Sequence, residues 1–262
     1  MLVFQPAEEI DLGAKAMIAE GILESPRPDA FFALHVDPEL RTGLVAVREG
    51  PLMAAIDTVR LSVTGKGGHI AMPHQCVDAI VAASALVMNL QTSVSRSTDP
   101  IKPIVVSIGT FNAGQSENNI ASRADLTGTV RTMDPDVHRT VPEIIERICK
   151  NTVATFGAGV SMEYLRMLPP LVNSKEMTAR VAESCDALLG SKSITEAPIS
   201  MGGDDFAFFL EEIPGCYFRL GTKHPNSEMI HNLHNGRFDI DEGSLHLGAA
   251  ILAHAALITL EG

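Results

Sequence analysis

The chain has 262 residues, of which 45% are hydrophobic, and it carries 32 acidic against 20 basic residues for a formal net charge of −12. This composition excludes general disorder, and the acidic balance argues against binding to nucleic acid or to an anionic membrane. No uninterrupted apolar run reaches the roughly 18 residues that a membrane span needs, and no signal-peptide pattern is visible, so we expect a cytoplasmic protein. The four cysteines are scattered, which is typical of reduced core residues.

The first fifty residues combine apolar runs with a helical pattern. Residues 1–4 predict a strand, residues 12–23 predict a helix, and residues 30–34 predict a second strand that ends at His35. Two apolar strands joined by a helix are typical of a βαβ unit in a parallel sheet, where ligands bind beyond the carboxyl ends of the strands. Glu8, Glu9 and His35 follow those predicted strand ends and are therefore candidate site residues.

Residues 51–168 have a different pattern, with half-buried strands that alternate apolar and polar side chains. Strands are predicted near residues 59–63, 104–111, 123–130 and 160–165, with helices near 77–94 and 135–157. The order β-α-β-β-α-β predicts an inserted α+β ferredoxin-like satellite domain. It interrupts an α/β domain with a mixed, mostly parallel sheet, which residues 1–50 begin and residues 169–262 complete.

The Glu8–Glu9 pair and three histidines are candidate functional residues, and each also has an ordinary structural interpretation. Glu8 and Glu9 could divide proton transfer and metal binding between them, or they could be two solvated acids. His35 and His234 could join Glu9 as metal ligands, or they could be a structural histidine and a solvated loop histidine. Carboxylate and imidazole ligands suit zinc, manganese, cobalt or nickel. His69 follows two glycines and could reach a substrate, or it could belong to an ordinary turn.

Six motifs occur together in one order along the chain. They are Gln-Pro-Ala-Glu-Glu at 5–9, Ala-Leu-His-Val at 33–36, the Gly-rich segment 65–73, Gly-Thr-Val-Arg at 128–131, Ser-Met-Gly-Gly-Asp-Asp-Phe at 200–206, and Leu-His at 233–234 followed by Phe-Asp-Ile-Asp at 238–241. In this order they resemble the aminoacylase/carboxypeptidase family of metal-dependent amidohydrolases. The most similar branch contains hippurate hydrolase, N-acyl-amino-acid amidohydrolases and auxin-conjugate hydrolases.

The resemblance implies hydrolysis of the amide bond of an N-acyl or N-aroyl amino acid at a site with two divalent metals. Glu8 matches the general base, which takes a proton from the attacking water and passes it to the leaving amine. Glu9, His35 and His234 match metal-ligand positions. A bound metal makes hydroxide available near neutral pH.

The resemblance also implies roles in substrate binding and assembly. His69 matches a satellite histidine that polarises the scissile carbonyl, from the same chain or from the partner in a homodimer formed through the satellite domain. Asn118 and Arg131 match polar positions near the substrate, and an arginine suits a carboxylate. Gly202 and Gly203 match a loop where the backbone approaches the substrate.

The chain departs from the family pattern in three places. It lacks the Cys-Gly-His-Asp motif that supplies the remaining ligands, Asp204 stands where glutamate is usual, and Ala121 stands where proline is common. We therefore expect an N-terminally truncated catalytic domain with little or no activity by itself. The alternative is a non-catalytic fragment or decayed paralogue that keeps the dimerisation module, and a metal-free binding protein is a third hypothesis.

Overall fold

The computed structural model describes residues 1–224 and 231–261, and within them the chain forms twelve β-strands and six α-helices. The strands are β1 (Phe31–Arg41), β2 (Val45–Val47), β3 (Gly50–Met53), β4 (Ala55–Thr64), β5 (Gly68–His69), β6 (Ile104–Ala113), β7 (Asn119–Ile120), β8 (Arg123–Thr132), β9 (Gly159–Leu168), β10 (Leu171–Asn173), β11 (Ile194–Glu196) and β12 (Gly215–Lys223). The helices are α1 (Gly13–Ala19), α2 (Ala79–Ser95), α3 (Pro135–Ala154), α4 (Lys175–Leu189), α5 (Ala207–Glu212) and α6 (Gly243–Glu261), with 3-10 turns at Glu8–Ile10, Pro73–Gln75 and Ser191–Ser193.

The chain divides into two compact units. Unit 1 contains residues 1–53, 171–200 and 204–262, and unit 2 contains residues 54–170 together with the short segment 201–203. The whole is an α/β fold with mixed sheets.

Unit 1 is built on a four-stranded sheet in the order β1-β12-β2-β11. The β1/β12 and β2/β11 pairs are parallel, whereas β12 and β2 are antiparallel. Alternate residues of β12 are buried in different clusters, because successive side chains of a strand point to opposite faces. Cys216 and Phe218 pack with residues of α4 and α6, and Tyr217 packs with residues of α1 and α5. Both faces of β12 are therefore covered, which gives its almost entirely buried pattern.

Unit 2 is built on a four-stranded antiparallel sheet in the order β6-β8-β4-β9. Its longer elements follow one another as β4-α2-β6-β8-α3-β9, with the two-residue strands β5 and β7 between them, so the strands and helices predicted for this stretch are present. The period-two pattern of β4 buries Val59, Leu61 and Val63, which pack against the apolar faces of α2 and α3 in one core cluster. An aspartate caps the N-terminus of both α2 and α3: Asp78 and Asp134 accept hydrogen bonds from backbone N–H groups of the first turn.

The N-terminal segment does not form the predicted strand. Residues 1–7 are irregular, and Met1, Leu2 and Phe4 are 70–85% exposed. The predicted βαβ unit at the start of the chain is therefore wrong. A short apolar run becomes a strand only when a neighbouring strand satisfies its backbone groups, and no such pairing exists for residues 1–7 among the residues described. His35 also lies within β1 rather than at its end, since the strand continues to Arg41.

Helix α6 has 19 residues and a mean hydropathy of 1.6, which by length and composition alone is enough to cross a membrane. Ser244, Gly248 and His254 interrupt the apolar residues of α6, which is why the sequence shows no continuous apolar run of 18 residues. The mean hydropathy of the helix is nevertheless 1.6. The buried residues of α6 include Ile251 and Ala255, which pack in the core cluster of α4 and β12. Only 22% of the apolar stretch of α6 is buried, and a single helix of this length and composition is weak evidence for a membrane span.

The four cysteines are free thiols. Cys149, Cys185 and Cys216 are buried, as expected for core residues, and burial raises the pKa of each thiol. Cys76 is only partly buried, so it departs from that expectation.

Candidate active site

Glu8 and Glu9 lie in the 3-10 turn Glu8–Ile10 at the surface of unit 1. Ala7 and Asp11 flank this turn with left-handed φ angles of 57° and 58°. The Asp11 N–H donates to the Glu8 carbonyl at 2.8 Å and closes the turn. The turn leaves Glu8 half-buried and Glu9 exposed, so two adjacent carboxylates have different environments.

Glu8 shares a carboxylate cluster with Asp204 and Asp205, which precede α5. One oxygen from each of the three side chains lies within 4.8 Å of the others. Asp204 is 5% exposed and accepts hydrogen bonds from the Phe206 N–H, at 2.9 Å, and from the Tyr217 hydroxyl. Three acidic groups held this close at a partly buried position concentrate negative charge, and a divalent cation would offset that charge.

The proximity of these groups shifts their proton affinities. Burial, followed by repulsion from Asp204 and Glu9, raises the pKa of Glu8 to about 7. Burial also raises the pKa of Asp204, although hydrogen bonds from the Phe206 N–H and Tyr217 oppose the shift. Burial and the adjacent Asp204 raise the pKa of Tyr217 well above 10, which keeps its hydroxyl protonated as a donor.

The predicted ligands Glu9, His35 and His234 do not form one compact group in the described part of the chain. Among those residues, the three side chains that bring a possible ligand atom within 4.8 Å of one another are Glu8, Asp204 and Asp205. Glu9 and His234 approach each other, with 3.6 Å between Glu9 Oε2 and His234 Nδ1, and both side chains are exposed. His234 takes a left-handed φ of 65°. His35 interacts electrostatically with Asp204, so it lies on the side of the sheet that carries the carboxylates.

A backbone hydrogen bond selects the tautomer of His35. Its Nδ1 lies 2.8 Å from the carbonyl oxygen of Val36, and a carbonyl can only accept. Nδ1 therefore carries the proton, and Nε2 keeps the lone pair that a metal requires. The donor chemistry of His35, His234 and Glu9 thus fits a zinc-like divalent cation.

The two predicted satellite residues His69 and Asn118 lie on an exposed ribbon of unit 2. His69 pairs with Asn119 across β5 and β7, and Ile70 N–H donates to the Asn118 carbonyl at 3.1 Å. The His69 Nδ1 accepts a hydrogen bond from the Ala71 N–H at 3.1 Å. The neutral ring therefore carries its proton on Nε2, which is the opposite tautomer to that of His35.

Arg131, Gly202 and Gly203 lie together in unit 2. Arg131 Nη1 donates to the carbonyl of Met201 at 2.7 Å, and the Gly202 carbonyl accepts from the Ala54 N–H at 3.0 Å. A Cβ added to Gly203 would come within 2.8 Å of Ile56 and Leu168 side chains. These contacts are with the flexible ends of two side chains, so a larger residue at position 203 would require Ile56 and Leu168 to shift.

Four contributors to the site were not among the predicted site residues: Asp204, Asp205, Gln5 and Tyr217. Asp205 is fully buried and accepts hydrogen bonds from Gln5 Nε2 and from the Ala14 N–H. A usable signal was present, because two adjacent aspartates before an apolar helix must find donors if they are buried. No sequence pattern pointed to Tyr217, since its partner Asp204 is brought to it only by folding.

The sequence of this chain is similar to the sequences of known hydrolases. A family model described as peptidase family M20/M25/M40 matches residues 1–258. The N-acetylcysteine deacetylase of Bacillus subtilis is 36% identical over 259 residues, which cover 99% of this chain and 66% of that protein. The N-acetyldiaminopimelate deacetylase of Enterococcus faecalis is 36% identical over 253 residues, or 95% of this chain and 64% of that protein. The chain thus spans slightly less than two thirds of these relatives.

A solved structure supports the same relationship. A protein from Bacillus subtilis, described as a dinuclear metal-binding peptidase of the M20 family, superposes with a TM-score of 0.84 at 33% identity. The match covers 98% of this chain and 64% of that one.

Proposed function

Because the chain belongs to peptidase family M20/M25/M40, we propose that it carries the catalytic residues of a metal-dependent amidohydrolase acting on N-acyl or N-aroyl amino acids. Relatives named as deacetylases of N-acetylcysteine and N-acetyldiaminopimelate support this substrate class. The observation that carries the proposal is the pair of opposite histidine tautomers. Backbone hydrogen bonds leave a lone pair on His35 Nε2 and an N–H on His69 Nε2. A metal ligand needs the first arrangement, and a group that polarises a carbonyl needs the second.

The metal ligands in this proposal are Glu9, His35 and His234, within a site for two divalent ions. Zinc, manganese, cobalt and nickel all suit this mixture of carboxylate and imidazole. Such an ion, when bound, supplies Lewis-acid activation of an oxygen. The 3.6 Å approach of Glu9 to His234 and the tautomer of His35 support the assignment.

Glu8 is the general base and acid in this proposal. Its half-buried carboxylate is covalently adjacent to the ligand Glu9 and shares the cluster with Asp204. A carboxylate there can remove a proton from water and return it to the leaving amine, provided that the substrate lies within hydrogen-bonding reach.

Residues of unit 2 are proposed to bind the substrate. His69 Nε2–H would donate to the scissile carbonyl, and Asn118 would add a polar contact. Arg131 would bind the substrate carboxylate with the guanidinium N–H groups that it does not use on the Met201 carbonyl. Gly202 and Gly203 would let the backbone approach the substrate.

We further propose that residues 51–168 form a ferredoxin-like satellite domain through which two chains dimerise. The antiparallel order β6-β8-β4-β9 and the succession β4-α2-β6-β8-α3-β9 support the domain type. The homodimer and the cytoplasmic location remain predictions.

The test is hydrolysis of N-acetyl amino acids and of hippurate by the full chain supplied with zinc or manganese. We expect little or no turnover from residues 1–262 alone, because this sequence lacks the Cys-Gly-His-Asp ligand motif. Any metal-dependent turnover that is measured should fall about 10²- to 10⁴-fold in kcat with Glu8→Gln, because this change removes the proton-transfer group but keeps the shape. The matched control is Glu20→Gln, which alters an exposed glutamate just after α1 and should leave kcat unchanged.

Turnover that Glu8→Gln leaves intact would contradict the assigned base. Robust metal-dependent turnover that Glu8→Gln abolishes would contradict the non-catalytic alternative.

A further inference from the structure

We propose that Asp205 is a positioning residue that ties together both ends of residues 5–14 and thereby holds the Glu8–Ile10 turn in place. The inference rests on the proposed function only where it assigns chemistry to Glu8 and Glu9. The hydrogen bonds from Gln5 and Ala14 to Asp205 are a property of the folded chain, and they can be tested without an activity assay.

The turn that carries Glu8 and Glu9 has little to hold it from within. None of the residues Glu8–Ile10 is buried. The flanking residues Ala7 and Asp11 both adopt left-handed φ angles, which are unfavourable for residues with a Cβ. A strained and exposed turn persists only when its surroundings determine it, so its anchor must lie outside the turn.

Asp205 provides that anchor through both of its oxygens. Its Oδ1 accepts a hydrogen bond from Gln5 Nε2, before the turn, and its Oδ2 accepts one from the Ala14 N–H, after the turn, at 3.0 Å. The side chain is fully buried, so these bonds replace solvent for the carboxylate. One rigid group therefore holds residues 5 and 14 together.

Gly13 shows how closely the two ends of the segment approach each other. A Cβ placed on Gly13 would lie 1.8 Å from the carbonyl oxygen of Pro6 and 3.0 Å from side-chain atoms of Gln5. Pro6 and Gly13 are therefore in close contact, and the hydrogen bonds of Asp205 to Gln5 and Ala14 hold the two ends of the segment together. The neighbouring Asp204 has different partners, Phe206 N–H and the Tyr217 hydroxyl.

These contacts indicate different roles for Asp204 and Asp205. Asp204 lies against Glu8 with partners that belong to the sheet and to α5, whereas Asp205 orders the segment on which Glu8 is carried. Asp205 is therefore assigned to positioning rather than to metal coordination, although its oxygen lies within 4.8 Å of the other two carboxylates.

Amide hydrogen exchange on the full chain tests the tie directly. The reporters are the Ala14 amide, which Asp205 binds, and the Asp11 and Leu12 amides, which close the turn on Glu8 and Ala7. We expect Asp205→Ala to speed exchange at all three amides about tenfold or more, because both anchoring bonds are lost.

Swapping the amide and carboxylate groups of residues 5 and 205 should restore the protection of these amides. Gln5→Glu alone places two carboxylates against each other and should speed exchange at the same three amides. Gln5→Glu combined with Asp205→Asn restores one donor facing one acceptor, so the protection should return for the most part. The matched control is Asp57→Asn, which alters another fully buried aspartate in unit 2 and should leave these three amides unchanged.

The outcomes separate the two proposals. Unchanged exchange at Asp11 and Leu12 in Asp205→Ala, or no recovery in the double variant, would overturn the positioning role. Titration of the same proteins with Zn²⁺ should give weaker binding for Asp205→Ala and recovery in the double variant. If the unaltered chain binds no Zn²⁺, the proposed metal site fails, while the exchange data still decide the role of Asp205.

Discussion

Asp57 in unit 2 and Asp205 in unit 1 are both fully buried aspartates, yet they stabilise different kinds of structure. Asp57 lies on β4, and its Oδ2 accepts from the Tyr164 hydroxyl at 2.8 Å and lies 3.1 Å from His138 Nε2. Asp205 accepts from Gln5 and from the Ala14 N–H. Asp57 therefore links β4, α3 and β9, whereas Asp205 holds the irregular surface segment 5–14 in place.

The difference shows that burial alone does not reveal what a polar group does. The partners of Asp57 come from regular elements that pack in one core cluster, so its loss should weaken the whole of unit 2. The partners of Asp205 flank a turn without buried residues, so its loss should act on that turn first.

The largest effect is expected for Asp57→Ala. It leaves the buried His138 and the half-buried Tyr164 without their acceptor, which should lower the free energy of unfolding by about 3 kcal/mol or more. Tyr164→Phe removes one donor only and should cost about 2 kcal/mol. Urea unfolding, followed with hydrogen exchange in β4 and β8, measures both.

Equal losses for the two variants would mean that His138 contributes nothing to the network. A loss below about 0.5 kcal/mol for Asp57→Ala would remove the contrast with Asp205 altogether.

An intermediate effect is expected at Asp134, a partly exposed carboxylate that begins α3. Its Oδ1 accepts from the Asp136 and Val137 N–H groups, and its Oδ2 lies 3.0 Å from Lys102 Nζ. Burial favours the protonated form of Asp134, but these hydrogen bonds and Lys102 outweigh it and lower the pKa below 3.8. Asp134→Ala should therefore cost about 1 kcal/mol at neutral pH.

The pH dependence of that cost has a definite sign. The pKa of Asp134 is lower in the folded chain than in the unfolded one, so its stabilisation is complete above about pH 4 and is lost as the pH falls through the folded value. Unfolding measured from pH 7 to pH 2 should show the difference between Asp134→Ala and the unaltered chain shrinking only in the acidic range. A constant difference would contradict the role of the ionised carboxylate.

The smallest effect is expected for Ala7→Gly. Glycine removes the penalty of the left-handed φ of 57° but gains entropy in the unfolded chain, so the net change should be a stabilisation of a few tenths of a kcal/mol. The matched control is Ala16→Gly inside α1, where the same substitution should destabilise by about 0.5–1 kcal/mol. Thermal unfolding measures both, and a clear loss for Ala7→Gly would show that the turn is not strained.

Unit 2 could be predicted from sequence more completely than unit 1. The alternation of Val59, Leu61 and Val63, and the Asp134-Pro135 pair, are local signals, and the corresponding strand and helix are present as predicted. The apolar residues 1–4 gave an equally strong local signal, but they form no strand. The outcome there depends on a pairing partner elsewhere in space, which hydrophobicity cannot reveal.

The sequence by itself determined the family, through motifs whose order is specific, and it determined most of the secondary structure of unit 2, because hydrophobic periodicity and helix caps act over a few residues. Only the tertiary structure decided which acids meet. Glu8 is separated from Asp204 and Asp205 by almost two hundred residues in sequence, and the three carboxylates come together when residues 5–14 close onto the segment before α5. The tautomers of His35 and His69 depend instead on backbone groups one and two residues further along the chain, the Val36 carbonyl and the Ala71 N–H, so the local backbone conformation sets them.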